Sequence, residues 1–132
     1  MAEQENVKIA QQTYELFKSG NVPAFLELYS EDIIFQLPEI EKVPFAGSHK
    51  GRAALAAFVQ SVSESQDALE FNPVEFIAQG DRVVILGNYS WRVKATGREY
   101  SSDWAHIVTF SDGKISSFKE YMDTGTAAAA YQ

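Results

Sequence analysis

The 132-residue sequence contains no cysteine. That absence excludes a disulfide scaffold, a thiolate-ligated metal centre and a thiol nucleophile, and is compatible with a reducing compartment. Basic residues are few and scattered: eleven Lys and Arg stand against eighteen Asp and Glu, for a formal net charge of -7. Nucleic acids and anionic membrane surfaces both require clustered cations, so neither is expected as a partner. No apolar run approaches the length of a membrane span, and the opening "MAEQENVKIAQQ" is acidic and polar, unlike a secretory signal. A cytoplasmic location is therefore expected. The two histidines, His49 and His106, are far apart and without HxxE or HxH spacing, so no metal site is expected. No phosphate loop or dinucleotide fingerprint occurs either, and no cofactor is expected.

Aromatic residues, by contrast, are plentiful: nine Phe, six Tyr and two Trp make up 13% of the chain. So many wide, flat side chains favour a lined cavity over a solid interior. The length suits a single domain spanning 1–132, large enough to bury one core unaided.

Along the chain, Val7, Ala10, Tyr14 and Phe17 have the spacing of one helical face between Glu3 and Lys18, and "SGN" stops that helix. Asn21 and Pro23 then predict the start of a short second helix. "DIIFQLP" alternates as a strand ending at Pro38. The Pro- and Gly-bearing stretch 38–51 reads as a long loop, of the kind that forms a lid or rim. Leu55, Phe58, Val59 and Val62 predict a third helix from about Arg52. After Gln66 the pattern becomes strands separated by turns at "QGD", "ATGR" and "SDGK". Helices first and antiparallel strands second give an α+β class. The alanines of the last residues, about 125–132, are expected to form a loosely held tail.

Turn chemistry predicts which side chains share a face. With Thr96 and Gly97 as a two-residue loop, Lys94 would face Glu99, Tyr89 would face Trp104 and Gly87 would face His106. Tyr89, Trp91, Trp104, His106, Val108 and Phe110 then gather on one side. In "SDGK", a three-residue bulged loop pairing Phe110 with Lys114 places Ser116, Phe118, Glu120 and Met122 on that same side; a two-residue Asp-Gly turn would instead turn Lys119 and Tyr121 inward. In the bulged reading Glu120 lies across from Trp104, diagonal to His106, and points into an aromatic interior.

The helical start, "LYSEDIIFQLP", the "GRAALAAF" opening of the third helix and the finish "DWAHIVTFSDGKISSFKEYMD" resemble the SnoaL-like polyketide cyclases. These belong to the superfamily of ketosteroid isomerase, scytalone dehydratase, limonene epoxide hydrolase and nuclear transport factor 2. The resemblance implies a strongly curved sheet wrapped around helices as a cone, with a deep apolar pocket and a homodimer formed through the outer sheet face. It further implies an acid/base residue on the last strand and a histidine on the strand before it. Glu120 and His106 stand at those places, the glutamate where the cyclases carry an aspartate.

Glu120, His106, Asp123 and Tyr14 are thus the candidate catalytic residues. A carboxyl group among aromatics is in the setting that general acid/base work uses, or else is held by a structural salt bridge or hydrogen bond to a helix. His106 either partners a substrate oxygen or is a satisfied core residue. Asp123 either reaches the pocket mouth or caps the strand end. Tyr14 either donates to an oxyanion or simply packs. Phe35, Phe58, Tyr89, Trp91, Trp104, Val108, Phe118 and Met122 are the expected walls around a small hydrophobic ligand. Two functions fit: a cofactor-independent isomerase, aldol cyclase or dehydratase acting on an apolar carbonyl compound, or a non-catalytic ligand-binding or dimerisation module.

Overall fold

Local chemistry sets the helix boundaries in the computed structural model, which describes residues 2–132. Helix α1 (Ala2–Ser19) carries Glu3 and Glu5 in its first turn and Lys18 in its last, each opposite in sign to the dipole end it occupies. It buries Asn6, Ala10, Thr13 and Tyr14. Helix α2 (Val22–Glu27) begins where the Asn21 side chain accepts the Ala24 N–H at 3.3 Å, with Pro23 in its first turn. Helix α3 (Arg52–Ser65) buries Leu55, Phe58 and Val62.

Strand β1 (Tyr29–Gln36) buries Ile33 and Phe35 and exposes Ile34 and Gln36. The stretch 38–51 is not loop throughout, because Ser48–Lys50 forms β2 and pairs antiparallel with β1, His49 opposite Phe35. A hydrogen bond of 3.0 Å from the Leu37 N–H to the Gly47 carbonyl closes the remaining loop, whose Val43 and Phe45 turn inward. His49 and Arg52 are anchored rather than free: His49 Nε2 lies 2.8 Å from the Phe45 carbonyl, and the Arg52 guanidinium donates to the Tyr29 carbonyl at 2.9 and 2.6 Å.

Strands β3 (Gln66–Gln79), β4 (Arg82–Val93), β5 (Glu99–Ser111) and β6 (Lys114–Met122) complete one curved, mixed sheet of order β2-β1-β6-β5-β4-β3. Only β1 and β6 run parallel, and their register places Phe35 beside Phe118 with rings stacked 3.9 Å apart. The helices lie in the hollow of this sheet, α1 against β3 and β4 and α3 against β1 and β2. This is the α+β cone.

Two registers differ from the turn-based expectation. Between β4 and β5, Arg92 pairs with Glu99, Gly87 with Trp104 and Ile85 with His106, a slip of two residues. The "KATGR" turn is longer than two residues, with the Val93 N–H bonded to the Arg98 carbonyl at 2.8 Å. A slip of two preserves side-chain parity, so the expected inner face survives. At "SDGK" the turn has two residues: Ser111 pairs with Lys114, while Asp112 and Gly113 both have positive φ, at 50° and 76°. By itself that turn would point Glu120 outward. A bulge at Ser116 restores the parity, since Phe110 pairs with Ile115 but Thr109 with Ser117. Ile115, Phe118 and Glu120 are all buried as a result.

The expected loose tail is overturned. Residues Thr124–Ala130 form α4, with Ala127 and Ala130 buried at 1% and 4% exposure. Small side chains let this helix approach the sheet closely, and the Tyr131 hydroxyl then donates to the Gln66 side chain at 2.6 Å.

Candidate functional site

The bulge at Ser116 brings His106 and Glu120 directly opposite each other on β5 and β6, rather than diagonal. Both are buried, at 4% and 9% exposure. His106 Nε2 lies 2.9 Å from Glu120 Oε1, and His106 Nδ1 lies 2.7 Å from the Tyr14 hydroxyl on α1. The Tyr89 hydroxyl of β4 also donates to Glu120 Oε1, at 3.3 Å. With the Tyr14 hydroxyl donating to Nδ1, His106 is the Nε2–H tautomer and donates Nε2–H to Glu120 Oε1. Every group in the chain Tyr14–His106–Glu120 then has a hydrogen-bond partner. Both donors converge on Oε1, and among the described residues none donates to Oε2.

Burial keeps the tyrosines of this region in their neutral, donating form. Desolvation raises Tyr14 well above the ordinary phenol value, with smaller contributions from Tyr29 and Glu120. Tyr89 is pushed up by burial first and by the neighbouring Glu120 second. Tyr29 and Tyr100 are likewise raised, chiefly by burial. The proton does not leave these hydroxyls easily, so they act as hydrogen-bond donors across the physiological range.

Glu120 lines a cavity of about 80 Å³ with mostly apolar walls. That is room for several waters or a compact molecule, and well short of the roughly 300 Å³ typical of drug-sized ligand sites. Of the expected walls, Phe35, Phe58, Tyr89, Trp91, Val108, Phe118 and Met122 do line it, as do Glu120, His106 and Tyr14. Trp104 stands behind the site instead. Its ring stacks on His106 at 4.0 Å and on Tyr14 at 5.8 Å, in a space opened by Gly87, where a Cβ would collide with both the Asn72 carbonyl and the indole. The Trp104 indole N–H meets no acceptor among the described residues. Asp123 is apart from the cavity, exposed at the start of α4, where its side chain accepts the Thr126 N–H at 3.2 Å.

Several lining residues were not singled out from sequence: Gln66 and Phe71 of β3, Tyr100 of β5, and Phe45 of the loop before β2. For Gln66 the signal available was a polar residue at the junction of a helix and a strand, flanked by inward-facing Val62 and Phe71. No group of three or more His, Asp or Glu able to hold a metal occurs among the described residues. No helix is long and apolar enough to cross a membrane.

Comparison with known proteins places this geometry in a lineage. The SnoaL-like domain family matches residues 10–118. An NTF2-like protein from Burkholderia xenovorans is 38% identical, with 98% of each chain covered and a TM-score of 0.90. TerC, co-crystallised with polyporic acid, is 26% identical over 96% of this chain and 98% of its own, with a TM-score of 0.85. An NTF2-like protein from Burkholderia pseudomallei, 24% identical over 97% of this chain and 98% of its own, shares the fold at a TM-score of 0.87. The comparison with curated proteins found no match. A match over most of the chain, joined to a curved mixed sheet closing on its helices, makes this protein a member of the SnoaL-like domain family with the NTF2-like fold.

Proposed function

We propose that the protein is a cofactor-independent acid/base enzyme acting on a small apolar carbonyl compound, with Glu120 as the group that takes and returns a proton. The observation that carries this reading is the one-sidedness of the Glu120 carboxylate: His106 and Tyr89 both bond Oε1, and Oε2 is left without a donor in a cavity lined by Glu120 itself. Tyr14 and His106 position the carboxylate, since both imidazole nitrogens are engaged within the chain.

Oε2 removes a proton from the carbon next to the carbonyl, and the electron pair moves onto the carbonyl oxygen. The Tyr89 hydroxyl, at 3.3 Å only loosely bonded to Oε1, is the nearest donor to steady that oxygen. Returning the proton to another carbon gives isomerisation, attack on a second carbonyl gives aldol cyclisation, and loss of a β-hydroxyl gives dehydration. The co-crystal of TerC with polyporic acid supports a small organic ligand for this cavity. A homodimer through the outer sheet face, where Tyr121 is 50% and Leu86 37% exposed, and a cytoplasmic location complete the proposal.

The small cavity, about 80 Å³, favours a second reading, a module that binds a compact ligand without turning it over. One experiment separates the two. Exchange of the α-protons of cyclohexane-1,4-dione into deuterated water, followed by NMR, reports proton abstraction directly. Enzyme-dependent exchange that falls by about 10²–10⁴ in Glu120→Gln, with dione affinity kept, supports the enzyme. Binding without exchange supports the module, and exchange unaffected by Glu120→Gln removes the assigned role.

A further inference from the structure

One wall of the cavity is built by a single loop. Residues 37–47, between β1 and β2, contribute Leu37, Ile40, Val43, Phe45 and Ala46 to its lining, while Glu39, Glu41 and Lys42 are exposed. The loop is bonded chiefly to itself. At its base the Leu37 N–H donates to the Gly47 carbonyl at 3.0 Å and the Gly47 N–H to the Pro38 carbonyl at 3.4 Å. Within it, the Val43 N–H donates to the Ile40 carbonyl at 3.2 Å and the Ala46 N–H to the Val43 carbonyl at 3.3 Å. Apart from the bonds at the base, one hydrogen bond among the described residues ties 38–46 to the rest of the chain: His49 Nε2 to the Phe45 carbonyl, at 2.8 Å. A carbonyl only accepts, so Nε2 carries the proton there.

Apolar contact supplies the remaining hold. Phe45 packs edge-on against Phe58 of α3 and against Tyr131 after α4, with centroids 5.9 and 6.4 Å away. Pro38 and Gly47, the latter at a φ of 88°, bracket the loop. A segment bonded mostly to itself opens as a unit at lower cost than the framework around it. The opposite wall is such a framework. Phe17, Val62, Gln66, Phe71 and Trp91 separate the cavity from an open surface groove beside the α1–α2 turn, and they stand on helices α1 and α3 and on strands β3 and β4, which pair along their whole length. Parting the loop side, by contrast, breaks the His49 bond and frees the Phe45 ring.

We propose that residues 37–47 form a flap hinged between Pro38 and Gly47, that ligands enter the cavity beneath it, and that His49 is the latch that holds it shut through the Phe45 carbonyl. His49 lies outside the cavity wall, so it acts on the rates of entry and exit and not on the fit of what is inside. An inert apolar atom reports this as well as a carbonyl compound does, and the flap therefore stands independently of the reaction assigned to Glu120.

Xenon, which apolar cavities take up, is the probe, and its exchange between cavity and water under pressure is followed by ¹²⁹Xe NMR. His49→Ala is expected to raise the entry and exit rates together, by about fivefold for the loss of one ordinary hydrogen bond, with xenon affinity unchanged. His49→Gln, whose amide nitrogen takes the place of Nε2, is expected to keep the wild-type rates. Rates unchanged in His49→Ala overturn the proposal, and if Phe71→Leu accelerates exchange instead, the entrance is on the groove side. A wild-type cavity that takes up no xenon is one the flap does not open, which overturns the proposal too. Amide hydrogen exchange of the wild-type chain gives a reading that depends on no variant folding. The Gly47 amide is expected to exchange through a local opening, faster than the Gly51 amide, which donates to the Ile33 carbonyl at 2.7 Å. Equal protection of the two overturns the flap.

Discussion

Replacing Tyr14 by Phe removes one oxygen and leaves the ring, which packs against Phe71, Phe76, Trp104 and His106 with centroids 5.8–6.1 Å away. What is lost is the 2.7 Å bond to His106 Nδ1, in a region where neither residue exceeds 8% exposure. The abandoned nitrogen is buried, so the cost includes the desolvation of an unpaired acceptor and amounts to about 2 kcal/mol. For a domain of this size, that corresponds to a fall in Tm of roughly 6–10 °C by thermal circular dichroism. A second readout isolates the mechanism. With Tyr14 donating to Nδ1, His106 is the Nε2–H tautomer, and ¹⁵N NMR of the imidazole is expected to show this form in the wild-type protein and a mixture in Tyr14→Phe. A Tm shift below about 1 °C, or an unchanged tautomer, would refute the proposed chain of donors.

Other perturbations test neighbouring parts of the account. Gly87→Ala drives a methyl group into the Asn72 carbonyl and the Trp104 ring, and is expected to cost about 1–3 kcal/mol in urea unfolding while also slowing ketone exchange, because Trp104 backs His106. Asp123→Ala removes the α4 cap, for a loss of about 1 kcal/mol, and leaves exchange per folded molecule unchanged because the carboxylate is outside the cavity. Alkaline pH offers a third test: Tyr14, Tyr29, Tyr89, Tyr100 and Tyr131 all hold their protons more tightly when folded. The unfolded chain releases those protons first, so their stabilisation is complete below about pH 10 and declines as pH rises above it, for Tyr131 through about 12. Beyond the contribution of the exposed Tyr121, phenolate absorbance is expected to rise only together with unfolding above about pH 10; phenolate from more than one tyrosine appearing well before unfolding contradicts the burial of these hydroxyls.

Much of the fold was legible because alternation carries more information than register. The two-residue slip between β4 and β5 changed every cross-strand partner yet left Tyr89, Trp91, Trp104 and His106 on the inner face. The inward direction of Glu120 came from packing Phe118 and Met122, whereas the means, a tight turn compensated by a bulge at Ser116, could not be read from "SDGK" alone. Short pairing explains the omission of β2, since three residues among prolines and glycines carry no periodicity. Helix α4 escaped notice because its alanines present small faces whose burial depends on a surface supplied by the rest of the chain. Gln66 was invisible for a related reason: its importance arises from Tyr100 and Tyr131, 34 and 65 residues away in sequence.

The account stands on a carboxylate oxygen that a ligand can reach inside the cone. A crystal soaked with cyclohexane-1,4-dione tests this most directly. Density for the dione in the cavity, with an α-carbon about 3–3.5 Å from Glu120 Oε2, is the predicted result. Density confined to the outer groove, or a cavity that stays closed to the dione while Glu120 bonds only to His106 and Tyr89, would contradict it.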